Sequence, residues 1–428
     1  MTVPAPSSLL ANFGWLLADR GWRMVLGLVV SLVVARYLGP ADLGWLSFAT
    51  SLCAIFGTIA GLGIDDVLAR ELARHPASAA ALVRRGLRLK LAGAAGAYVA
   101  VLLLGWLWPT GDGMTLVLLA WVAAGFFFAP ADVVDLWYQA RERMKPPVLV
   151  RQAVLVIVAA VRLGLVAAGA PLWCFAAAVA LETGLTALGL GMLWRHGGLR
   201  PAPATGAVRT LSTRQLIGEG APLLCSGLLV VVTMHCDRLL LMQLAGETAA
   251  GVYAAAARLT EMMHILPVAL GAAFLPRFAK LHASDPAGYL RAARQAGLLV
   301  TGLTVGLAAT FSLVAPWLIP ALLGEAYRPS AHVWQVQVWS LVFVAIVSIR
   351  SRLWVVEGKT TWILAISAVT AVANVGGNWW LIPTHGAIGA AWAAVAAWGL
   401  SALVLPWLAL GPARFMRRWC GLANPPEV

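Results

Sequence analysis

The chain has 428 residues, of which 61% are hydrophobic and only 11% charged, with a net charge of +13. That balance lies outside the range of soluble globular proteins and describes an integral membrane protein. Five cysteines (Cys53, Cys174, Cys225, Cys236 and Cys420) show no paired spacing, which excludes a disulfide framework or a zinc site as the organising element.

A bilayer takes roughly 20 apolar residues per helix. Dividing the chain at Gly, Pro and charge clusters predicts twelve transmembrane helices, over 12–36, 44–64, 88–108, 114–137, 150–169, 172–194, 216–244, 251–275, 297–320, 332–356, 362–382 and 386–410. The first is interrupted by charges and lacks a small-residue cleavage site, so it reads as a retained helix. Cytoplasmic loops collect Lys and Arg. The connections after helices 2, 4, 6, 8 and 10 and the C-terminal tail, counted with up to three bordering helix residues, hold 22 of the 31 such residues, whereas the alternate connections, counted likewise, hold only Arg36 and Arg328. Both termini are therefore expected in the cytoplasm. The basic balance is this topology signal, with attraction to anionic lipid headgroups as a by-product, and calls for no nucleic-acid partner.

An internal repeat appears at an offset of 207. Gly39 and Gly44 in "LGPADLG" fall on Gly246 and Gly251 in "AGETAAG", and Arg70 falls on Arg277. The polar stretch "RHGGLRPAPATGAVRTLSTR" near the midpoint reads as a linker. The expected organisation is an N-terminal six-helix half at 1–195, a cytoplasmic linker at 196–214, a C-terminal six-helix half at 215–411 and a cytoplasmic tail at 412–428. Halves with even helix numbers share one orientation, as in transporters with parallel repeats.

Seven arginines fall inside apolar segments: Arg20, Arg23, Arg162, Arg238, Arg258, Arg350 and Arg352. On helix 1, Asn12, Asp19, Arg20, Arg23, Gly27 and Ser31 share an arc of about 120°, and Asp19 can pair with Arg23 at i, i+4. Arg23 lies roughly 16 Å from the start of helix 1, deep for snorkelling, so this face is expected to line a watery cavity. On helix 8, Arg258, Glu261 and His264 follow one another at i, i+3 on one face. Arg162 and Glu182 sit near the middles of helices 5 and 6, Asp132 and Asp135 follow Pro130 in helix 4, and the adjacent Asp237 and Arg238 point to different faces of helix 7. Glu219 reads as a helix-start acid, and Arg350 and Arg352 as residues that snorkel to the cytoplasmic end of helix 10.

Unpaired guanidinium groups in a cavity suit a phosphate-bearing substrate, because arginine stays charged and donates parallel hydrogen bonds to phosphate oxygens. Buried acids, here Asp19, Asp132, Asp135, Asp237 and Glu261, can exchange protons or hold sodium and so couple transport to a gradient. No other cofactor is expected. "VEGKT" at 356–360 resembles the end of a phosphate-binding loop, but Leu353 stands where its first glycine belongs. The connections on the outer face are too short for a catalytic domain, and no catalytic constellation is visible, so the chain does not read as an enzyme.

"ARYLGPADLGWLSFATSLCAIFGTIAGLGIDDVLARELAR" resembles the first-hairpin signature of the polysaccharide flippases in the multidrug, oligosaccharidyl-lipid and polysaccharide exporter superfamily. "CDRLLLMQLAGETAAGVYAAAARLTEMMHILPVALGAAFLPRFAKL" is similar to its counterpart in the second half, and "LIPTHGAIGAAWA" to the last hairpin. The resemblance implies a multidrug-exporter-like all-α fold in a bacterial inner membrane. It implies a flippase moving undecaprenyl-diphosphate-linked oligosaccharide, for O-antigen or exopolysaccharide synthesis, by alternating access. The lipid tail would stay in the bilayer while the sugar diphosphate crosses the lumen, and a polysaccharide polymerase and chain-length regulator would be partners. By helix and depth, Arg20, Arg23 and Arg258, with Arg162, stand on positions that would contact the substrate. The alternatives are a multidrug exporter of the same superfamily, a lipid II flippase, and a membrane polysaccharide polymerase or ligase.

Overall fold

The computed structural model describes residues 6–75, 78–107, 113–196 and 211–404, and the side chains of all of these except 6–24, 360, 361 and 364. Among the described residues all regular structure is helical. The helices are α1 (Pro6–Ala60), α2 (Asp65–Arg74), α3 (Ala79–Leu107), α4 (Gly113–Ala124), α5 (Asp132–Ala140), α6 (Lys145–Ala167), α7 (Leu172–His196), α8 (Thr213–Leu244), α9 (Gly246–Ser284), α10 (Pro286–Leu323), α11 (Arg328–Gln337), α12 (Ser340–Val356) and α13 (Thr360–Gly399). A π-helical turn, Leu400–Val404, ends α13.

Ten stretches of the described residues are long and apolar enough to cross a membrane. Two of them, Val25–Ala60 and Ala365–Val404, contain a glycine with non-helical backbone, Gly39 and Gly386, where the sequence divides helix 1 from 2 and helix 11 from 12. A continuous helix through Gly386 would set Gly377 and Ala393 about 24 Å apart. A Cβ built on Gly377 lies 3.3 Å from the Ala393 Cβ, so α13 folds back on itself as a hairpin. α9 and α10 run beyond the predicted 251–275 and 297–320, because their backbone hydrogen bonding continues through the polar turns that the apolar count leaves out. The predicted helix at 114–137 is interrupted by two 3₁₀ turns, Gly125–Phe127 and Ala129–Ala131, the second holding Pro130, whose ring lacks the donor that a continuous helix needs.

The outward faces are apolar, as lipid requires. α3 and α10 carry arginines within their first ten residues, Arg84, Arg85 and Arg88 on α3 and Arg291 and Arg294 on α10, and an exposed tryptophan near the other end, Trp106 and Trp317. Trp380 stands likewise near the Gly386 break, at the far end from Lys359. Basic residues at one end of a span and an indole at the other fit a helix that reaches from one membrane interface to the other. The chain is a multi-pass membrane protein.

The chain forms two compact units, Met1–Leu38 with Leu52–Leu228, and Gly39–Ser51 with Leu229–Val428. In the first unit α2 is amphipathic, with Asp65 and Asp66 in its first turn and Arg74 in its last, in favourable sense for the helix dipole. Its buried Val67, Leu68 and Leu72 pack with Leu82, Trp137, Tyr138 and Leu216. In the second unit Phe278, Tyr289, Ala296, Val300, Ala345 and Ile349 form a core joining α9, α10 and α12.

The two glycine pairs of the internal repeat meet in the second unit. Gly39 and Gly246 both have positive φ (73° and 84°), which L side chains rarely adopt, and each opens a helical segment. A Cβ on Gly44 would overlap the Glu247 carbonyl, and one on Gly251 would overlap the Pro40 carbonyl. The contact is reciprocal at the offset of 207, Pro40 answering to Glu247 and Gly44 to Gly251. Two glycines thus let two helix starts cross at backbone distance. The greater part of the expected linker and the whole of the tail 412–428 lie outside the described residues.

Candidate functional site

Many of the ionisable residues described inside the spans form connected groups, each within one unit. α8 and α9 form an antiparallel pair broken at Ala245 and Gly246, which brings residues 16 and 23 positions apart into contact. Asp237 on α8 accepts the hydroxyl proton of Tyr253 and the backbone N–H of Arg238, at 2.8 Å for the latter. Gln337 Nε2 on α11 donates to the Tyr253 oxygen at 3.1 Å. Arg238, 7% exposed, pairs with Glu261 on α9. Its Nη1 also lies 3.2 Å from His235 Nδ1, which is 3.2 Å from Ser51 Oγ. Guanidinium only donates, so His235 Nδ1 is an acceptor here. His264 Nε2 reaches Ser340 Oγ at 3.0 Å. Beside this chain, Cys236 donates to Asn374 Oδ1 at 3.1 Å, and Asn378 Nδ2 donates to the Asn374 side chain at 2.8 Å, all three buried.

The consequence falls on Arg258. The sequence sets Arg258, Glu261 and His264 on one face, but Glu261 turns to Arg238 and His264 to Ser340. From Ala250 to Thr260 the other residues are buried, while Arg258 is exposed and has no hydrogen bond or ion pair among the described residues. It is an exposed cation without a carboxylate partner among the described residues, on a stretch of helix that otherwise packs.

The first unit shows the opposite condition. Arg151 on α6 bridges Asp132 at 3.0 Å and Asp135 at 2.8 Å. Buried Lys90 on α3 pairs with Asp65 at the start of α2. Arg162 pairs with Glu182 at 2.8 Å, so it reaches a carboxylate and is not a free cation. Arg70 pairs with Glu219 and ties α2 to α8, so Glu219 is a cross-helix partner where the sequence suggests only a helix-start acid. That hydrogen bond raises the Arg70 pKa above the ordinary arginine value.

Arg350 departs from the expected snorkelling. It is buried, donates to the carbonyls of Ser401 at 2.6 Å and Ala402 at 3.1 Å, and lies 4.7 Å over the Trp354 ring. The guanidinium thereby ties α12 to the π-helical turn that ends α13. The side chains of Asp19, Arg20 and Arg23 lie outside the described residues. No three of His, Cys, Asp and Glu converge to hold a metal among the described residues.

Tyr253, Gln337, Asn374, Asn378, Lys90 and Arg151 belong to these groups and do not stand out in the sequence reading. Asn374 and Asn378 carried a usable signal, two amides at i, i+4 inside an apolar span. The other four sit beside ordinary helix-packing residues and gave none.

A family model described as "Polysaccharide biosynthesis protein" matches residues 9–282. The structure is similar to that of an inward-facing multidrug resistance MATE family transporter of the MOP superfamily, at 17% identity, with 94% of this chain and 96% of the other covered and a TM-score of 0.72. It is also similar to the lipid II flippase MurJ in an inward closed conformation, at 12% identity, with 94% and 89% covered and a TM-score of 0.66. A third likeness is to a MOP superfamily transporter from Pyrococcus furiosus, at 16% identity, with 96% and 93% covered and a TM-score of 0.54. At these identities the likeness is one of fold. No curated protein matches the sequence.

Proposed function

This chain belongs to the polysaccharide biosynthesis protein family and has the MOP superfamily fold, and from that premise we propose that it is a flippase for lipid-linked oligosaccharide. The substrate is an undecaprenyl-diphosphate-linked oligosaccharide, moved from the cytoplasmic to the periplasmic leaflet of a bacterial inner membrane by alternating access. Both termini then face the cytoplasm, and the product feeds O-antigen or exopolysaccharide synthesis, in concert with a polymerase and a chain-length regulator.

The observation that carries the reading is Arg258. A diphosphate stripped of water would be prohibitively costly in hydrocarbon, and a guanidinium that no carboxylate neutralises replaces its hydration. Arg20 and Arg23 are further candidates for contact with the diphosphate. Arg162 enters only on release from Glu182, which makes it the weakest contributor. Among the acids, Asp237 and Glu261 sit where protonation or sodium binding would rearrange the Arg238 network, and Asp19, Asp132 and Asp135 are the remaining candidates for coupling to a proton or sodium gradient.

Complementation of a flippase-deficient strain tests the reading. Arg258→Ala should abolish surface polysaccharide while the protein stays in the membrane, and Arg258→Lys should retain part of it. Full export by Arg258→Ala would remove Arg258 from the site. Resistance to cationic dyes on overexpression, with no polysaccharide phenotype, would instead assign drug export.

A further inference from the structure

A second cationic feature lies outside the spans' interior and takes no part in the proposed passage of substrate. In the first unit a cavity of about 420 Å³ is lined by Ala81, Arg84, Arg85, Arg88, Leu89 and Thr213. Arg84, Arg85 and Arg88 occupy positions i, i+1 and i+4 of α3, within an arc of about 100°. Thr213 is the first residue of α8 and stands opposite them.

The side chains divide the work. Arg85 donates to the Leu211 carbonyl, just before α8, and so fixes the two walls together. Arg84 and Arg88 are exposed; Arg84 Nε donates to the Ala80 carbonyl at 3.2 Å, and neither has a carboxylate partner among the described residues. Like charges at i, i+4 repel one another, so this pairing is unfavourable until an anion lies between them. Reciprocal bonds between Ser212 and Gln215 (2.8 and 3.3 Å) cap the start of α8, whose positive dipole end faces the same space. Ala81 and Leu89 supply apolar wall beside the guanidinium groups. The retention of cytoplasmic Lys and Arg accounts for basic residues at this end of α3 but not for an open cleft shared with the start of α8. Basic pockets between helices at that interface suit phosphate headgroups.

We propose that this cavity binds the phosphate group of an anionic membrane lipid at the cytoplasmic interface. The inference does not depend on the transported substrate. The test is native mass spectrometry of the full-length protein released from nanodiscs containing phosphatidylglycerol and phosphatidylcholine in equal amounts. Retained phosphatidylglycerol should exceed phosphatidylcholine, and Arg84→Ala with Arg88→Ala should weaken that retention roughly 30-fold, about fivefold for each guanidinium. Arg84→Lys with Arg88→Lys should keep much of it. Arg141→Ala with Arg143→Ala, which removes the same charge from another exposed loop, should leave it unchanged. Inorganic phosphate added in phosphatidylcholine-only nanodiscs provides the second arm, and its retention by the native protein but not by the double alanine variant identifies the same site with free phosphate as ligand. Equal retention by native protein and the Arg84, Arg88 alanine variant, or equal loss in the Arg141, Arg143 variant, would overturn the proposal.

Discussion

Replacing Gly251 by Ala adds one methyl at a place where the structure leaves no room. The new Cβ would overlap the Pro40 carbonyl oxygen and lie 2.9 Å from the Gly44 nitrogen. Carbon atoms settle near 3.5 Å from such neighbours, and backbone cannot swing aside as a side-chain end can, so the two helix starts must separate. The cost is at least the roughly 1–3 kcal/mol of ordinary overpacking. Gly44→Ala meets the Glu247 carbonyl in the reciprocal way and should cost a similar amount. Gly246→Ala has open space but positive φ, and should cost about 1 kcal/mol through backbone strain alone. Gly96→Ala, on α3 with nothing within 4 Å, is the control and should be neutral or slightly stabilising. Thermal unfolding of the purified proteins in detergent orders the four. A Gly251→Ala protein as stable as Gly96→Ala would refute the glycine crossing.

Two further predictions concern the ion networks. Glu261→Ala strands Arg238 as a buried charge and should cost roughly 3 kcal/mol, whereas Arg238→Ala frees Glu261 to pair with Arg258 at i, i+3 and should depress transport with less loss of stability. Removing both should restore transport relative to Arg238→Ala, and normal transport by Arg238→Ala alone would contradict the idea that Glu261 must be held away from Arg258. Arg151→Ala leaves Asp132 and Asp135 facing each other and should lower stability by about 1–3 kcal/mol, with Asp132→Asn added to it recovering part, as read by denaturation midpoint.

What the sequence discloses and what it conceals divide along one physical line. Apolar runs mark the spans because lipid imposes that composition over the whole length of a helix, and Gly39 and Gly386 fall where the sequence divides them, whereas the break at Pro130 lies inside an apolar run that reads as one helix. Local side-chain spacing is equally legible, which is why Arg258, Glu261 and His264 read as one face. Partners across helices are not, because no periodicity specifies which helix packs against which. Glu261 finds Arg238 from 23 positions away, Glu182 finds Arg162 from 20, and Arg350 turns inward to the carbonyls of Ser401 and Ala402 from 51 and 52. The candidate site therefore depends less on which charges are present than on how they pair.

The most direct measurement is translocation itself. Purified protein in proteoliposomes is supplied with a short undecaprenyl-diphosphate-linked oligosaccharide bearing a fluorophore on the sugar, and loss of fluorescence to a membrane-impermeant quencher reports its leaflet. The native protein should equilibrate the lipid across the bilayer, Arg258→Ala should reduce the rate to that of empty vesicles, and Arg162→Ala should slow it far less. No translocation by native protein, or an Arg258→Ala protein as fast as native, would contradict the account.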